Sequence, residues 1–557
     1  MLERMKQTRE LFGTMRRARM IAPLRPDKYF RIGAAGRREG MTETIGFAIA
    51  ARRCPDRAGL IDELGTLTWR QLDERSDALG AALQALSGGA APKTVGIMCR
   101  NHRGFVEALV AATRSGADVV LLNTSFAGPA LAEVVKREGV DTVIYDEEFT
   151  AAVDQALVGN PAAARIVAWT GDPSIRDVTV EKLIAAHVGQ RPKRLGKGKL
   201  ILLTAGTTGT PKGAKRSGGG PEALLAILRG VPWRAEETTV VVAPMFHAWG
   251  FGQLVFSAMM ACTVVTRRKF DPEATLELID RYRATGLGMV PVMFDRIMDL
   301  PEAVRNRYDC RSLRFAAASG SRMRPDVVTA FMDQFGDVIY NNYNATEVGM
   351  VATATPADLR AAPDTAGKPV EGAHIRILDD KFRDLPTGEV GQIFVRNTTQ
   401  FDGYTSGTTK DFHDGFMASG DMGYLDEAGR LFVVGRDDEM IVSGGENVYP
   451  TEVETILAAH PDVAEAAVIG VDDQQFGQRL AAFVVLEHGG SVTPELLKQH
   501  VRENLANYKV PREIMMLDEL PRSSTGKIVR RELRALVGAA ASDRGQRAAV
   551  GRYPGLC

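Results

Sequence analysis

The chain has few cysteines and no pairing pattern among them. Cys54, Cys99, Cys262, Cys310 and Cys557 are scattered, with no C-x-x-C pair. That argues against a disulfide framework or a zinc site and fits a reducing cytoplasm. Long apolar runs are also missing. The nearest approach to a membrane span, residues 105–122, is interrupted by Glu107, Arg114 and Asp118, whereas a spanning helix needs about 20 predominantly apolar residues. No apolar h-region stands near the start, so no secretory leader is expected. Neither sign of charge is in excess. The 69 basic residues meet 69 acidic ones, which leaves no global electrostatic case for a nucleic-acid partner. No internal repeat or long low-complexity segment stands out.

What is present is an α/β pattern on a chain of 557 residues, long enough for several domains. Residues 1–41 form a basic extension with Leu11, Phe12, Met15 and Met20 interspersed. A helix of this kind either rests on an anionic membrane surface or packs on the main domain. A large domain is expected over 42–435. Strand-like runs recur at 94–99, 118–122, 142–145, 165–169, 239–243, 288–292 and 315–318, with helical stretches at 69–86, 105–114 and 272–284. Such alternation implies layered sheets covered by helices. From 366 to 434 the texture changes to short strands at 374–378, 390–395 and 430–434, a β-rich subdomain. A small α+β domain is expected over 436–540, with helices at 450–459 and 494–506, strands at 464–471 and 480–486, and a tail at 541–557.

The stretch 200–213 organises the rest. Leu200 to Leu203 is a continuous apolar run suited to a buried strand. It breaks into Gly206, Gly209 and Gly213, with Thr204, Thr207, Thr208, Thr210 and Lys212 among them. Backbone N–H groups in a glycine loop make a concavity that suits phosphate, and the threonines and lysine add donors and charge. Pro211 stands where a Walker A loop needs its second glycine. The alternative is an ordinary turn after a strand.

Further motifs follow in order: Pro244-Met-Phe-His-Ala-Trp-Gly250, Asn342-Tyr-Asn-Ala-Thr-Glu347, Gly415-Phe-Met-Ala-Ser-Gly-Asp421, 435–450 around Arg436, and Pro521-Arg-Ser-Ser-Thr-Gly-Lys527. Together with the 204–213 loop they resemble the adenylate-forming superfamily of acyl-CoA synthetases, luciferases and peptide-synthetase adenylation domains. Within it the chain is most similar to bacterial, particularly actinobacterial, fatty-acid–CoA ligases. The resemblance spans about 42–535. It implies that ATP adenylates a medium- or long-chain fatty acid, releasing pyrophosphate, and that coenzyme A then takes the acyl group and releases AMP. It also implies that the C-terminal domain is mobile.

The implied roles fall on particular residues. Thr204, Gly206, Thr207, Thr208, Gly209 and Lys212 would hold the phosphates. Glu347 with Thr207 would hold Mg²⁺, a cation that favours oxygen ligands. Thr346 would contact the α-phosphate and Tyr343 would stack on adenine, flanked by Asn342 and Asn344. Ser319 and Gly320 would border the adenine and the carboxylate. Asp421 would accept from the ribose hydroxyls, with Arg436 beside it. Lys527 would stabilise charge growing in adenylation. Asp438 would be the hinge that replaces Lys527 with Ser443, Gly444, Gly445 and Glu446 for the thioester step. His247, with Trp249 near it, would line or gate the acyl pocket.

Each residue has a plainer alternative. Thr346 and Glu347 could be a helix N-cap and first-turn acid. Asp421 could sit in a surface turn, Arg436 could be a solvated charge, His247 a core histidine, and Lys527 part of an exposed basic tail. The sequence departs from the family pattern at Ala205, Asn342, Asn344 and Ser419. Fatty acid, ATP and coenzyme A are the expected partners, with a homodimer and a peripheral contact at the inner membrane face left open. Two competing functions are an acyl-AMP ligase that loads a carrier protein and a silent acyl- or nucleotide-binding protein.

Overall fold

The computed structural model describes residues 2–537 apart from 22–25, 41, 127, 173, 205–211, 216–220, 346, 398–399, 402, 405–408, 437–438, 444–445, 474–476, 506 and 524–525. At 2–9, 38, 204, 212–215, 221–223, 442, 443, 446, 447, 477 and 507 it describes the backbone alone. Two compact units divide the chain: Met1–Ile375 with Val395–Met417, and Arg376–Phe394 with Ala418–Cys557.

The first unit is built on two sheets. One has nine strands, in the order Lys368–Pro369, Gly349–Ala354, Ile339–Ala345, Phe315–Ala318, Gly286–Met289, Thr238–Val241, Thr263–Val265, Ala58–Asp62 and Gly65–Thr68. The other has seven: Gly403–Tyr404, Lys212–Lys215, Leu200–Thr204, Asp118–Leu121, Thr94–Met98, Thr142–Asp146 and Ala164–Trp169. Strand residues alternate between two faces, and each face has its own core. Leu60, Val241 and Val264 of the first sheet share a core with Val95, Ile97 and Leu202 of the second, through helices Trp69–Leu86, Arg103–Ser115 and Ala248–Met259. Ile61, Val240 and Leu287 face outward onto Ile279, Phe294 and Phe331. Val120 and Val143 face Leu131, Val134 and Val153. The layering is helix, sheet, helix, sheet, helix, which is the α/β class expected.

Local chemistry sets the helix ends. Trp69–Leu86 opens with a capping box: the Gln71 N–H donates to Thr68 Oγ1 at 3.1 Å, and the Thr68 N–H donates to Gln71 Oε1 at 2.9 Å. These bonds satisfy donors that the first turn would otherwise leave without partners. In Pro272–Tyr282, Asp271 accepts from the Ala274 N–H at 2.7 Å. The strand expected at 288–292 instead starts at Gly286 and stops at Met289, because Pro291 opens helix Pro291–Met298, a position that proline favours.

The inter-sheet helices are tied by buried charges. Arg114 donates to Asp73 Oδ1 at 2.6 Å and to Asp77 Oδ1 at 3.0 Å, and Arg52 donates to Asp73 Oδ2 at 2.6 Å. Burial works against the Asp73 charge, but Arg114 and Arg52 outweigh it and hold this carboxyl below the usual range.

The basic extension forms two helices, Leu2–Arg17 and Pro26–Glu39. Ala18 is buried, Arg53 donates to Arg19 O at 2.8 Å, and Arg229 pairs with Glu10 at 3.4 Å. These contacts match the alternative in which the extension packs on the main domain. No helix among the described residues is long and apolar enough to cross a membrane.

In the second unit, Glu446–Val448, Ile441–Ser443, Gly477–Leu486 and Val463–Asp473 lie side by side, with Glu513–Met516 parallel to Gly477–Leu486. Helices Pro450–Ala458 and Pro494–Asn504 share one core with this sheet through Val453, Leu457, Leu497 and Val501. A separate sheet carries Phe416–Leu425 antiparallel to Leu431–Arg436.

Candidate active site

Parallel strands carry the motifs to one edge of the first unit. Thr238–Val241, Gly286–Met289, Phe315–Ala318 and Ile339–Ala345 are successive parallel neighbours. Their carboxyl ends lead to His247, Val290, Ser319 and Glu347 respectively. In open α/β sheets, ligand sites lie beyond this edge. Asn101, just past strand Thr94–Met98 of the other sheet, joins the two edges. Its Nδ2 donates to Ala243 O at 2.9 Å, and its Oδ1 accepts from the Met245 N–H at 2.8 Å. No motif in the sequence marks Asn101.

The glycine–threonine stretch is the tip of a β-hairpin. Leu200–Thr204 pairs antiparallel with Lys212–Lys215, which puts Thr204 opposite Lys212. Gly206, Thr207, Thr208 and Gly209 lie outside the described residues. A third strand, Gly403–Tyr404, pairs with the returning arm. From it the Tyr404 hydroxyl donates to Glu347 Oε1 at 2.7 Å, while the Phe401 N–H donates to Glu347 O at 2.8 Å. Tyr404 is buried and stands against Phe401 with ring centroids 4.9 Å apart. One tyrosine thus sits in the hairpin's sheet and steers the carboxylate proposed for the metal.

Glu347 is not in a helix. Ile339–Ala345 returns as Gly349–Ala354, which removes the helix N-cap alternative; Thr346 itself lies outside the described residues. The side chain of Asn342 is used within the sheet. Its Nδ2 donates to Ala318 O and Tyr340 O at 3.3 and 3.1 Å, and its Oδ1 accepts from Thr353 at 3.0 Å. Tyr343 is half-buried. The buried Ser319 hydroxyl donates to Asn344 Oδ1, fixing that amide beside the edge, and Gly320 follows. His247 precedes helix Ala248–Met259, half-buried, with its ring 4.5 Å from that of Phe246. Trp249 Nε1 donates to Met289 O at 2.7 Å.

In the second unit, Asp421 lies directly opposite Arg436 on paired strands, with Arg436 Nη1 4.0 Å from Asp421 Oδ1. Asp421 is therefore a strand residue and not part of a turn. Buried Ser419 accepts from the Asp421 N–H at 3.1 Å and donates to Ile393 O at 2.9 Å, so the hydroxyl at this departure from the family pattern has a structural task. Lys527 is exposed at the end of a short hairpin. Ser523 Oγ accepts from the Lys527 N–H at 3.2 Å, and the Ser523 N–H donates to Lys527 O at 2.7 Å. Gly526 takes φ 78°, which a side chain would resist. The neighbouring arginines are not a solvated tail. Arg522 donates to Gly526 O at 2.6 Å and to Glu465 at 2.7 Å, and Arg530 pairs with Glu454 at 3.0 Å. Ser443 and Glu446 pair across Ile441–Ser443 and Glu446–Val448. Asp438, Gly444 and Gly445 lie outside the described residues.

Among the described residues, one cluster elsewhere has metal-ligand chemistry: Cys99, His102 and Asp146, all buried. The Gly104 N–H donates to His102 Nδ1 at 3.0 Å, so Nε2 carries the proton and donates to Asp146 Oδ1 at 2.7 Å. Asp146 Oδ2 accepts from the Arg100 N–H at 3.0 Å. Burial pushes the Cys99 thiol well up. With both ring nitrogens engaged and the thiol protonated, this cluster is a structural knot.

Residues 47–405 match the family described as AMP-binding enzyme, and 452–527 match the AMP-binding enzyme C-terminal domain. An indoleacetate–CoA ligase of Aromatoleum aromaticum is 31% identical over 491 residues, covering 85% of this chain and 93% of the relative. ScoC of Streptomyces coeruleorubidus, a fatty acid–[acyl-carrier-protein] ligase, is 29% identical and covers 87% and 94%. The crystal structure of the anthranilate–CoA ligase AuaEII with anthranoyl-AMP superposes with a TM-score of 0.78 at 26% identity, covering 89% and 98%.

Proposed function

The chain belongs to the AMP-binding enzyme family, and from that premise we propose that it is an AMP-forming acid–thiol ligase. ATP and a carboxylic acid yield an acyl adenylate and pyrophosphate. The thiol of coenzyme A then displaces AMP and forms the thioester. The observation that carries this reading is the Tyr404 bridge. It joins the hairpin bearing Thr204 and Lys212 to Glu347 at the carboxyl edge.

The carboxylate of Glu347 and the hydroxyl of Thr207 are hard oxygen donors that suit Mg²⁺ and would hold it. When bound, that ion neutralises charge on phosphate oxygens. Lys212 and Thr204 serve the triphosphate, Asp421 and Arg436 the ribose, and Lys527 the adenylation step. Asp438 as hinge and Ser443–Glu446 as the thioester segment stay with the family resemblance.

The acid is proposed to have an extended apolar body. Phe246, Trp249 and Phe251 around His247 support that, and a medium- or long-chain fatty acid is one member of the class. The indoleacetate relative and the anthranoyl adenylate complex extend the class to ring-bearing acids. A second reading, transfer to a carrier protein, is favoured by the likeness to ScoC.

The test is pyrophosphate release over a panel of alkanoic and aryl acids, with and without coenzyme A. Acid-dependent release with thioester formed only when coenzyme A is present supports the reading. Adenylate with no thioester transfers it to the carrier-protein alternative, and no release with any acid removes it.

A further inference from the structure

Helix Ala248–Met259 carries a polar side chain whose burial the fold does not account for. Trp249 and Gln253 are one turn apart and share a face. Trp249 donates to the Met289 carbonyl of strand Gly286–Met289. Gln253 faces the same strand at Gly288, where an added Cβ would lie 2.9 Å from Gln253 Cγ and 3.1 Å from its Oε1. Gln253 is only 6% exposed, and its Oε1 has no hydrogen-bond partner among the described residues. A buried amide oxygen without a partner costs about 1–3 kcal/mol. Replacing it with an apolar residue would be simple for a site that only had to pack.

The surroundings are small on the side that meets the helix. Gly288 pairs with Val241 on one side and Ala317 on the other, and residues paired in this way share a face. Two of the three are Gly and Ala, so the sheet is shallow below Gln253. The helix runs inward from the carboxyl edge, where His247 precedes it. Six residues of helix place Gln253 about 9 Å deeper than His247.

We propose that Gln253 reads a hydrogen-bond donor in the body of the acid, at about that depth below His247. The amide oxygen accepts only, so the substrate class is a carboxylic acid bearing a donor in its tail, a hydroxyl or a ring N–H. This inference rests on the acid–thiol ligase reading and narrows it: a plain alkyl chain would leave the Gln253 oxygen without a partner.

The test uses two acids of equal length, octanoate and its hydroxy analogue with the hydroxyl on the penultimate carbon, in acid-dependent ATP–pyrophosphate exchange. The wild-type chain is expected to favour the hydroxy acid in kcat/KM by about tenfold, the size of one net hydrogen bond. Gln253→Leu is expected to abolish that preference, through KM for the hydroxy acid, while octanoate is activated as well as before or better. Equal activation of both acids by the wild-type chain overturns the inference, and this arm needs no variant. So does a Gln253→Leu change that scales both acids alike. Exchange with neither acid nor any other carboxylate would instead remove the ligase reading beneath it.

Discussion

Two polar regions of the first unit use their groups in opposite ways. In the Arg52–Asp73–Asp77–Arg114 knot, charged side chains meet one another between helices, and the pairing holds the helices that separate the two sheets. At the carboxyl edge, polar side chains are aimed by neighbours instead. Tyr404 orients Glu347 and Ser319 orients Asn344, while deeper in, over Gly288, the Gln253 oxygen has no partner among the described residues. In the second unit the bracing acts on the backbone, with Ser419 holding the Asp421 N–H and Ser523 the Lys527 N–H. The difference separates polar groups that hold the fold from polar groups held by it. Breaking the knot should cost stability, whereas breaking the edge should cost activity at unchanged stability.

The largest expected effect is in the knot. Arg114→Met leaves Asp73 and Asp77 buried without their main counter-charge, so it should destabilise the chain by about 3–5 kcal/mol. Turnover per folded molecule should hold. Urea unfolding alongside active-site titration checks both halves. Lys527→Ala should do the reverse: about a hundredfold to a thousandfold loss of acid-dependent pyrophosphate exchange, with the melting temperature unchanged because the side chain is exposed. A matching drop in melting temperature would return Lys527 to the structural class.

Tyr404→Phe removes one hydrogen bond from Glu347 and keeps the ring against Phe401. Exchange should fall about tenfold, chiefly through the apparent Mg²⁺–ATP requirement, as a titration with the metal nucleotide would show. The smallest effect concerns pH. The folded-state pKa of Asp73 lies below its unfolded value. Its stabilisation is therefore full above the unfolded pKa of about 3.9 and is lost as pH falls through the lower folded value. Melting curves of the wild-type chain and Asp73→Asn should converge on acidification through that window. A constant gap would mean that the carboxylate is not held by Arg114 and Arg52.

Much of the scaffold is legible in the residues because local signals agree with the fold. Thr68-x-x-Gln71 and Asp271-Pro272 announce their helices, and Phe315–Ala318 and His374–Leu378 read directly as strands. An apolar run at 288–292 misled because such runs do not distinguish a strand from the start of a helix, and Pro291 decides. Lys212–Lys215 is short and polar, so nothing local marks it as a strand; its pairing with Leu200–Thr204 and Gly403–Tyr404 does. Tyr404 lies 57 residues from Glu347 in sequence, outside any motif, and Gln253 sits in an apolar helix with no signature. Ser419 and Ser523 lie inside the motifs they brace, whereas Tyr404 reaches Glu347 from a distant strand and emerges only when the sheets are assembled.

The central claim is that the carboxyl edge gathers a metal nucleotide around Glu347 so that a carboxylic acid can be adenylated. Its most direct measurement is acid-dependent ATP–pyrophosphate exchange, without coenzyme A, in the wild-type chain and in Glu347→Gln, with melting temperatures recorded for both. The account predicts exchange in the wild-type chain that requires the acid, and a loss of about a hundredfold or more in Glu347→Gln at an unchanged melting temperature. Undiminished exchange in Glu347→Gln would contradict it.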